Sequence, residues 1–317
     1  MNNQFKKNHL YISTYHFIRK KNENFYRNIN YLDFDKFKIQ INNFEKIFNI
    51  IEFDDALDIL GSNKKYKKPF LLLTFDDGYI DHYKYVLPFL LKKKIRGLFY
   101  PFSNSEKKGF ITDTNKLHFI LARNNKIEMI ENEMLNYLKN FTNFDLKKIN
   151  IARKIVYKNR RYDNQKVSFL KNLLQHYLPS KIRYKINDYL FQKLVTKDKL
   201  EFSEKLYLKK KHLKEMKNYN MHFGSHGSSH NYLGFMSIKE QDHEIKNSLV
   251  FLKNLFPKEN NFSICYPYGS FNQETLKIVK KYNFMLGLSN SYGSTNLLKK
   301  KNIFTLPRYD TNDFKFT

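Results

Sequence analysis

Short apolar runs alternate with stretches of helical spacing along much of this chain. Leu10 to Phe17 has strand character, and Phe34 to Phe48 repeats its apolar residues at helical spacing. Phe70 to Phe75 is a compact apolar run that ends in Asp-Asp-Gly, the pattern of a buried strand entering a turn. Tyr83 to Lys94 follows as a helix and Gly97 to Phe102 as a strand. The rhythm resumes later with Met221 to Gly224 (strand), Ser237 to Leu255 (helix), Phe262 to Tyr266 (strand) and Gln273 to Tyr282 (helix). Phe284 to Leu288 and Ile303 to Leu306 complete the series as strands. Such alternation implies a parallel sheet with helices outside it, closed or open.

One segment breaks the rhythm. From about Asn104 to Lys205 the pattern is helical and Lys-rich, without clear strands. Leu117 to Leu121, Ile127 to Leu138, Val167 to Tyr177 and Ile182 to Leu194 have the spacing of successive amphipathic helices. The expected organisation is an α/β unit over 1–103 and 206–317, carrying a helical insertion over 104–205. The insertion leaves after the strand ending at Phe102, so it is expected to cap the end of the sheet where the motifs lie.

Composition changes this picture in three ways. Hydrophobic residues make up 41% of the 317, enough for a globular protein with a large core. The formal net charge of +27 invites a nucleic-acid reading, but only nine of the 57 basic residues are Arg. Phosphate and base recognition favour the planar guanidinium. The Lys are spread along the chain and accompany abundant Asn, Ile, Phe and Tyr, as AT-rich codons would give. No nucleic-acid partner is expected; the charge suits an anionic substrate or peripheral contact with an anionic membrane face. Cys265 is the one cysteine, which excludes an intrachain disulfide and a Cys-rich metal site. Met1 to Leu10 is polar rather than a signal peptide, and no run approaches 18 apolar residues, so a cytoplasmic protein is the default expectation.

Three motifs could carry chemistry, each after a strand. Thr74-Phe75-Asp76-Asp77-Gly78 places adjacent carboxylates where an apolar run ends, though Asp-Asp-Gly also makes an ordinary turn. Ser225-His226-Gly227-Ser228-Ser229-His230 spaces two imidazoles i, i+4, which on a helical turn would face one way and share a metal. Cys265-Tyr266-Pro267-Tyr268-Gly269 fixes a tight loop whose N–H groups could face a reacting oxygen, and by itself is no more than a turn.

Together, and in this order, TFDDG, HGSSH and YPYG resemble the polysaccharide deacetylases, carbohydrate esterase family four with the NodB-homology domain. Tyr15-His16 after the first strand and Leu306-Pro307-Arg308 near the end resemble further features of that family. The resemblance implies a distorted (β/α)7 barrel, NodB-like, with the helical insertion set into it. It implies a divalent metal, usually Zn²⁺, held by Asp77, His226 and His230, with Asp76 as general base. The metal and the loop Pro267, Tyr268 and Gly269, through the Tyr268 N–H, would stabilise the oxyanion. The expected substrate is an N-acetylated amino sugar, free, nucleotide-linked or lipid-linked, in surface polysaccharide biosynthesis.

Three departures from the family stand out. The Arg that usually opens the third motif is Cys265, the chain has no Trp to line an acetyl pocket, and no His follows His243 to act as the late general acid. His16 is the candidate replacement for the acid. His82 is its rival, but lies at a helix start expected to face solvent. Arg308 could supply the charge lost at Cys265, pairing with Asp76 or with substrate. Cys265 itself reads as a packed thiol. The alternatives are an amidohydrolase on a small non-sugar amide, and an inactive, metal-containing glycan-binding protein.

Overall fold

The structure, a computed structural model, describes residues 5–21, 28–62, 64–123, 126–149 and 164–314. Residues 124–125 and 150–163 of the expected insertion therefore lie outside the described residues. The chain divides into two compact units, one of Met1–Glu23, Tyr31–Lys108 and Glu204–Thr317, the other of Asn24–Asn30 and Gly109–Ser203.

Among the described residues, seven parallel strands form the main path of the first unit's sheet, with Asn49–Ile51 and Thr295–Asn296 paired at its side. The seven are β1 (His9–Tyr15), β2 (Phe70–Asp76), β3 (Leu98–Tyr100), β4 (His222–Phe223), β5 (Ile264–Cys265), β6 (Gly287–Tyr292) and β7 (Leu306–Asp310). Their order across the sheet is β4-β3-β2-β1-β7-β6-β5. A parallel bridge between Ser225 and Ile264 joins the two ends. There the Ser225 N–H donates to the Ser263 carbonyl at 2.8 Å, and the Cys265 N–H donates to the Ser225 carbonyl at 2.9 Å. Strand order around the ring is thus chain order, the expected distorted barrel. Gly224 sits at this junction because a Cβ there would stand 2.3 Å from the Tyr100 ring and 2.7 Å from Ser263 Oγ.

Parallel strands covered on both faces read as continuous apolar runs, and all seven residues of β2 are buried. Leu71, Leu73 and Phe75 face outward onto Phe37, Ile41 and Phe44 of helix α1 (Phe34–Ile47). Leu10, Ile12, Leu72, Leu98 and Leu306 belong to the other cluster, with Phe53 and Ala56 of helix α2 (Phe53–Gly61). Side chains alternate along a strand. Thr14 and His16 therefore continue the file of Leu10 and Ile12, and Thr74 and Asp76 continue that of Leu72. Both files end at the C-terminal mouth of the barrel.

Several element boundaries differ from expectation. The helix after the first motif opens with a π turn, His82–Val86, before α3 (Leu87–Lys93). Strand β6 begins at Gly287 and runs on through the polar Ser289-Asn290-Ser291, and β7 covers Leu306–Asp310. Arg308 therefore lies within its strand rather than after it. Pairing with neighbours, not apolarity, sets these limits, because Leu306 and Arg308 register with Leu288 and Tyr292. Helices α4 (Lys210–Asn218), α5 (Ile238–Leu255) and α6 (Gln273–Lys281) complete the unit.

The second unit is helical among its described residues, with helices Asp113–Arg123, Ile127–Phe141, Gln165–Asn172 and Ser180–Leu194. Their apolar stripes bury Leu117, Ile120, Ile130, Met134, Leu138, Ile186 and Leu190. No helix among the described residues is long and apolar enough to cross a membrane.

Candidate active site

Two consecutive aspartates end β2 and enter different surroundings. Asp76, still in the strand, points into the barrel file. Arg308 of β7 meets it from across the mouth, with Nη1 at 3.0 Å from Oδ1 and 2.9 Å from Oδ2. The guanidinium is itself fixed, since Nε donates to the Ser289 carbonyl at 2.8 Å and Nη1 to Thr74 Oγ1 at 3.3 Å. Burial alone would raise the Asp76 pKa, but Arg308, His226 and His16 outweigh it and hold the carboxyl below its ordinary value. The Cys265 thiol donates to Asp76 Oδ2 at 3.5 Å, and burial raises its pKa, so it stays a thiol.

Asp77 turns away through a left-handed backbone (φ 68°) and meets the imidazoles. His226 Nε2 lies 3.3 Å and His230 Nε2 3.0 Å from Asp77 Oδ1. The Tyr79 hydroxyl donates to the other oxygen, Oδ2, at 2.7 Å. Burial would raise the Asp77 pKa, yet His230 and His226 hold it well below the ordinary value.

The proton positions make this cluster informative. His226 Nδ1 lies 2.8 Å from the Cys265 carbonyl, which can only accept, so Nδ1 carries the proton. In a neutral ring Nε2 is then a bare lone pair facing a carboxylate oxygen, and Asp77 Oδ1 makes no hydrogen bond. His226 Nε2 and Asp77 Oδ1 thus face each other as acceptors, and either a proton on His230 Nε2, 3.0 Å from that oxygen, or a cation would satisfy the carboxylate. The ligand atoms of Asp77, His226 and His230 all lie within 4.8 Å of one another. Ligands about 2.1 Å from a tetrahedral ion stand roughly 3.4 Å apart, close to the separations seen. The donor set of two nitrogens and one oxygen therefore fits a divalent metal.

The imidazole pair does not sit on a helical turn, contrary to expectation. Residues 226–230 form an irregular loop in which Gly227 (φ 70°) and His230 (φ 58°) are both left-handed. External partners replace the helical hydrogen bonds. Glu244 of α5 accepts from the Ser228 N–H (3.0 Å), the Ser229 N–H (2.9 Å) and the Ser229 hydroxyl (2.6 Å). From the other side, the Ser103 and Asn104 N–H groups donate to the Gly227 and Ser228 carbonyls at 3.2 and 2.9 Å. A capping box between Ser237 and Glu240 starts α5 and so sets where Glu244 falls.

Pro267, Tyr268 and Gly269 form one tight turn beside this loop. Tyr268 is left-handed (φ 59°), and its ring packs edge-on to His230 with centroids 4.6 Å apart. Gly269 is required, because a Cβ there would stand 1.8 Å from Asn290 Oδ1, while Asn290 Nδ2 donates to the Tyr268 carbonyl at 2.8 Å. Of the seven non-glycine residues with positive φ among the described residues, Asp77, His230 and Tyr268 gather here. Strain of this kind concentrates at functional sites.

His16 follows β1 and is half exposed, with Nε2 4.0 Å from Asp76 Oδ2. His82 is not at the surface as expected. It is fully buried among Phe75, Tyr79 and Phe99, because the π turn rotates it inward. Every site residue taken from the sequence thus lies at one end of the barrel. Glu244, Tyr79 and the Ser103-Asn104 N–H groups escaped that reading. Tyr79 follows the first motif by one residue, but Glu244 has no signal beyond being one acid among several on α5.

Residues 181–287 match the family model of the polysaccharide deacetylases. A curated protein of Bacillus subtilis (strain 168), "Putative polysaccharide deacetylase YxkH", is 28% identical over 92 residues. That match covers 29% of this chain and about a third, 33%, of the relative. Among solved structures, the Streptococcus pyogenes deacetylase PplD, determined in complex with acetate, superposes with a TM-score of 0.58 at 18% identity. The match covers 96% of this chain and 93% of that one. IcaB from Ammonifex degensii gives 0.53 at 13% identity, covering 95% and 91%. The resemblance to polysaccharide deacetylases holds, and these structures share the fold.

Proposed function

We propose that this chain is a divalent-metal-dependent N-deacetylase acting on an amino sugar during surface polysaccharide biosynthesis. The observation that carries the reading is the convergence of Asp77, His226 and His230 on one point, beside an Asp76 held ionised by Arg308. The similarity to polysaccharide deacetylases supports an acetylated carbohydrate as substrate. Two nitrogens and one oxygen suit Zn²⁺. A cation held by Asp77, His226 and His230 would supply Lewis acidity to an acetyl carbonyl and to water.

The chain's own groups do the remainder. Asp76 takes the proton of the attacking water. Arg308 lowers its basicity but keeps it charged and fixed in direction, so it accepts at neutral pH without reorganising. The Tyr268 N–H, at the left-handed turn held by Asn290, donates to the oxyanion of the tetrahedral adduct. His16 delivers a proton to the leaving amine from the open side of the mouth, which amide cleavage requires because an unprotonated amine leaves poorly. Arg308 performs from β7 the orienting task that the third motif's missing Arg performs in the family.

The test is acetate release from free, UDP-linked and lipid-linked N-acetylated sugars, by metal-stripped protein with and without added Zn²⁺. Release that depends on the metal and on an acetylated sugar is expected. Release from small non-sugar amides alone would favour a general amidohydrolase. Metal retention with no release from any substrate would favour a glycan-binding protein.

A further inference from the structure

The loop after β1 is held at three successive points by the segment after the first motif. The His16 carbonyl lies 2.8 Å from His82 Nε2. The Phe17 ring stacks on Tyr79 with centroids 3.8 Å apart. Arg19 Nε donates to Asp81 Oδ2 at 2.6 Å, in an ion pair with both side chains buried. Residues 79, 81 and 82 thus grip residues 17, 19 and 16. Tyr79, through its hydroxyl, also holds Asp77.

His82 is the member of this grip that packing does not explain. A carbonyl can only accept, so Nε2 carries the proton and donates to His16. Burial pushes the His82 pKa down to about 4, so the ring is neutral at physiological pH. Its Nδ1 is then a bare acceptor, and it makes no hydrogen bond. The surroundings are the rings of Phe75, Tyr79 and Phe99. A phenylalanine would fill this space without burying an unsatisfied nitrogen. What imidazole adds here is the one bond to the His16 main chain.

We infer that His82 is a positioning residue: by fixing the His16 carbonyl it sets the His16 ring opposite Asp76, and the Arg19–Asp81 pair fixes the short strand Ile18–Arg19 that follows. The inference rests on reading His16 as the group that protonates the leaving amine. His82 cannot serve as that acid itself. It is buried, and its one proton-bearing nitrogen is committed to a carbonyl.

The experiment compares His82→Phe, which fills the space without a donor, with His82→Gln, which keeps an amide donor. His16→Gln and Asp81→Asn are measured beside them. The readouts are kcat and KM for acetate release, bound metal, and the His16 ring resonance in His-labelled protein. A misplacement of about 1 Å at a reacting group costs on the order of 10²-fold. His82→Phe is therefore expected to lower kcat by about that factor, with KM and metal content unchanged and the His16 resonance shifted or broadened. His82→Gln should recover most of kcat, and Asp81→Asn should show the same signature in milder form. Wild-type kcat and an unmoved His16 resonance in His82→Phe would overturn the inference, as would equal losses in Phe and Gln variants accompanied by loss of metal. If His82→Phe does not fold, Asp81→Asn decides, and an unchanged kcat and resonance there overturns it. If His16→Gln itself keeps full activity, the role assigned to His16 fails, and the resonance alone then decides whether His82 positions that ring.

Discussion

Each of the two units holds a cluster of charges, buried at the barrel mouth and partly exposed in the helical unit, and the two are completed differently. In the helical unit Lys116 lies 3.0 Å from Asp188 and 3.5 Å from Asp113, and Lys199 lies 2.7 Å from Asp188. Both carboxylates have an ammonium within reach, and the cluster neutralises itself. At the barrel mouth Asp76 has Arg308, but Asp77 faces two imidazoles and a phenol. A cluster that supplies its own counter-charges is scaffolding. One that gathers acceptors around a point has the donor set for a cation, which is the role proposed for it.

The largest effect expected from breaking this contrast is at Asp76. Asp76→Asn should lower kcat by roughly 10²- to 10⁴-fold, as loss of a general base does, while bound metal stays at the wild-type level. Metal analysis beside kinetics checks both halves. If the metal is lost instead, the roles of the two aspartates are reversed.

Next come the two clusters' own ion pairs. Lys116→Met leaves Asp113 without its ammonium partner, and breaking a buried pair costs about 3–5 kcal/mol. Partial exposure of this pair puts the expected value at the lower end, and metal affinity should not change. Denaturant melts and a metal titration of the same variant separate the two readouts. Arg308→Gln should also destabilise, with a definite pH dependence. The folded Asp76 pKa lies below its ordinary value of 3.8, so the stability it contributes is present above that value and is lost as pH falls through the lower, folded one. The difference in Tm between wild type and Arg308→Gln should therefore be largest near neutral pH and shrink in acid.

A smaller effect is expected at Glu244, which shapes the loop that carries the imidazoles. Glu244→Gln exchanges a double acceptor for an amide that can satisfy only part of the set. Partners of this kind, one shell out from a metal, are worth about 10- to 100-fold in metal affinity. Competition titration with a chelator measures it, and an unchanged affinity would show that the loop holds without this carboxylate.

The smallest concerns Cys265. Asp76, His226 and Cys265 also lie near enough to one another to hold an ion. The thiol instead donates to Asp76 and stays protonated. Cys265→Ser should change stability by about 1 kcal/mol and leave metal affinity within experimental error. A large loss of affinity would move the metal toward that second group.

The two clusters also differ in how far they can be read from sequence. Asp76, Asp77, His226 and His230 were legible because each pair falls within one short motif after an apolar run. The helices of the second unit were legible from their apolar spacing, but its charge cluster was not. Nothing in the spacing of Asp113, Lys116, Asp188 and Lys199 along the chain marks them as partners. At the mouth, the partners that come from distant elements leave no local mark in the sequence. The spacing of His226 and His230 fits a helical turn, yet Glu244 and the N–H groups of Ser103 and Asn104 hold an irregular loop with two left-handed residues. The segment after Asp81 reads as a helix start, and only the π turn puts His82 inside. Arg308 was legible as a charge near the end of the chain, but its choice of Asp76 over substrate depends on β7 lying beside β1.

The most direct test is the metal itself. Purified wild-type protein, stripped with chelator and dialysed against Zn²⁺, should bind one ion per chain. Asp77→Ala and the double variant His226→Ala, His230→Ala should bind none, while Asp76→Asn binds as wild type does. Retention of a full equivalent by the double histidine variant, with its fold intact by circular dichroism, would contradict the account.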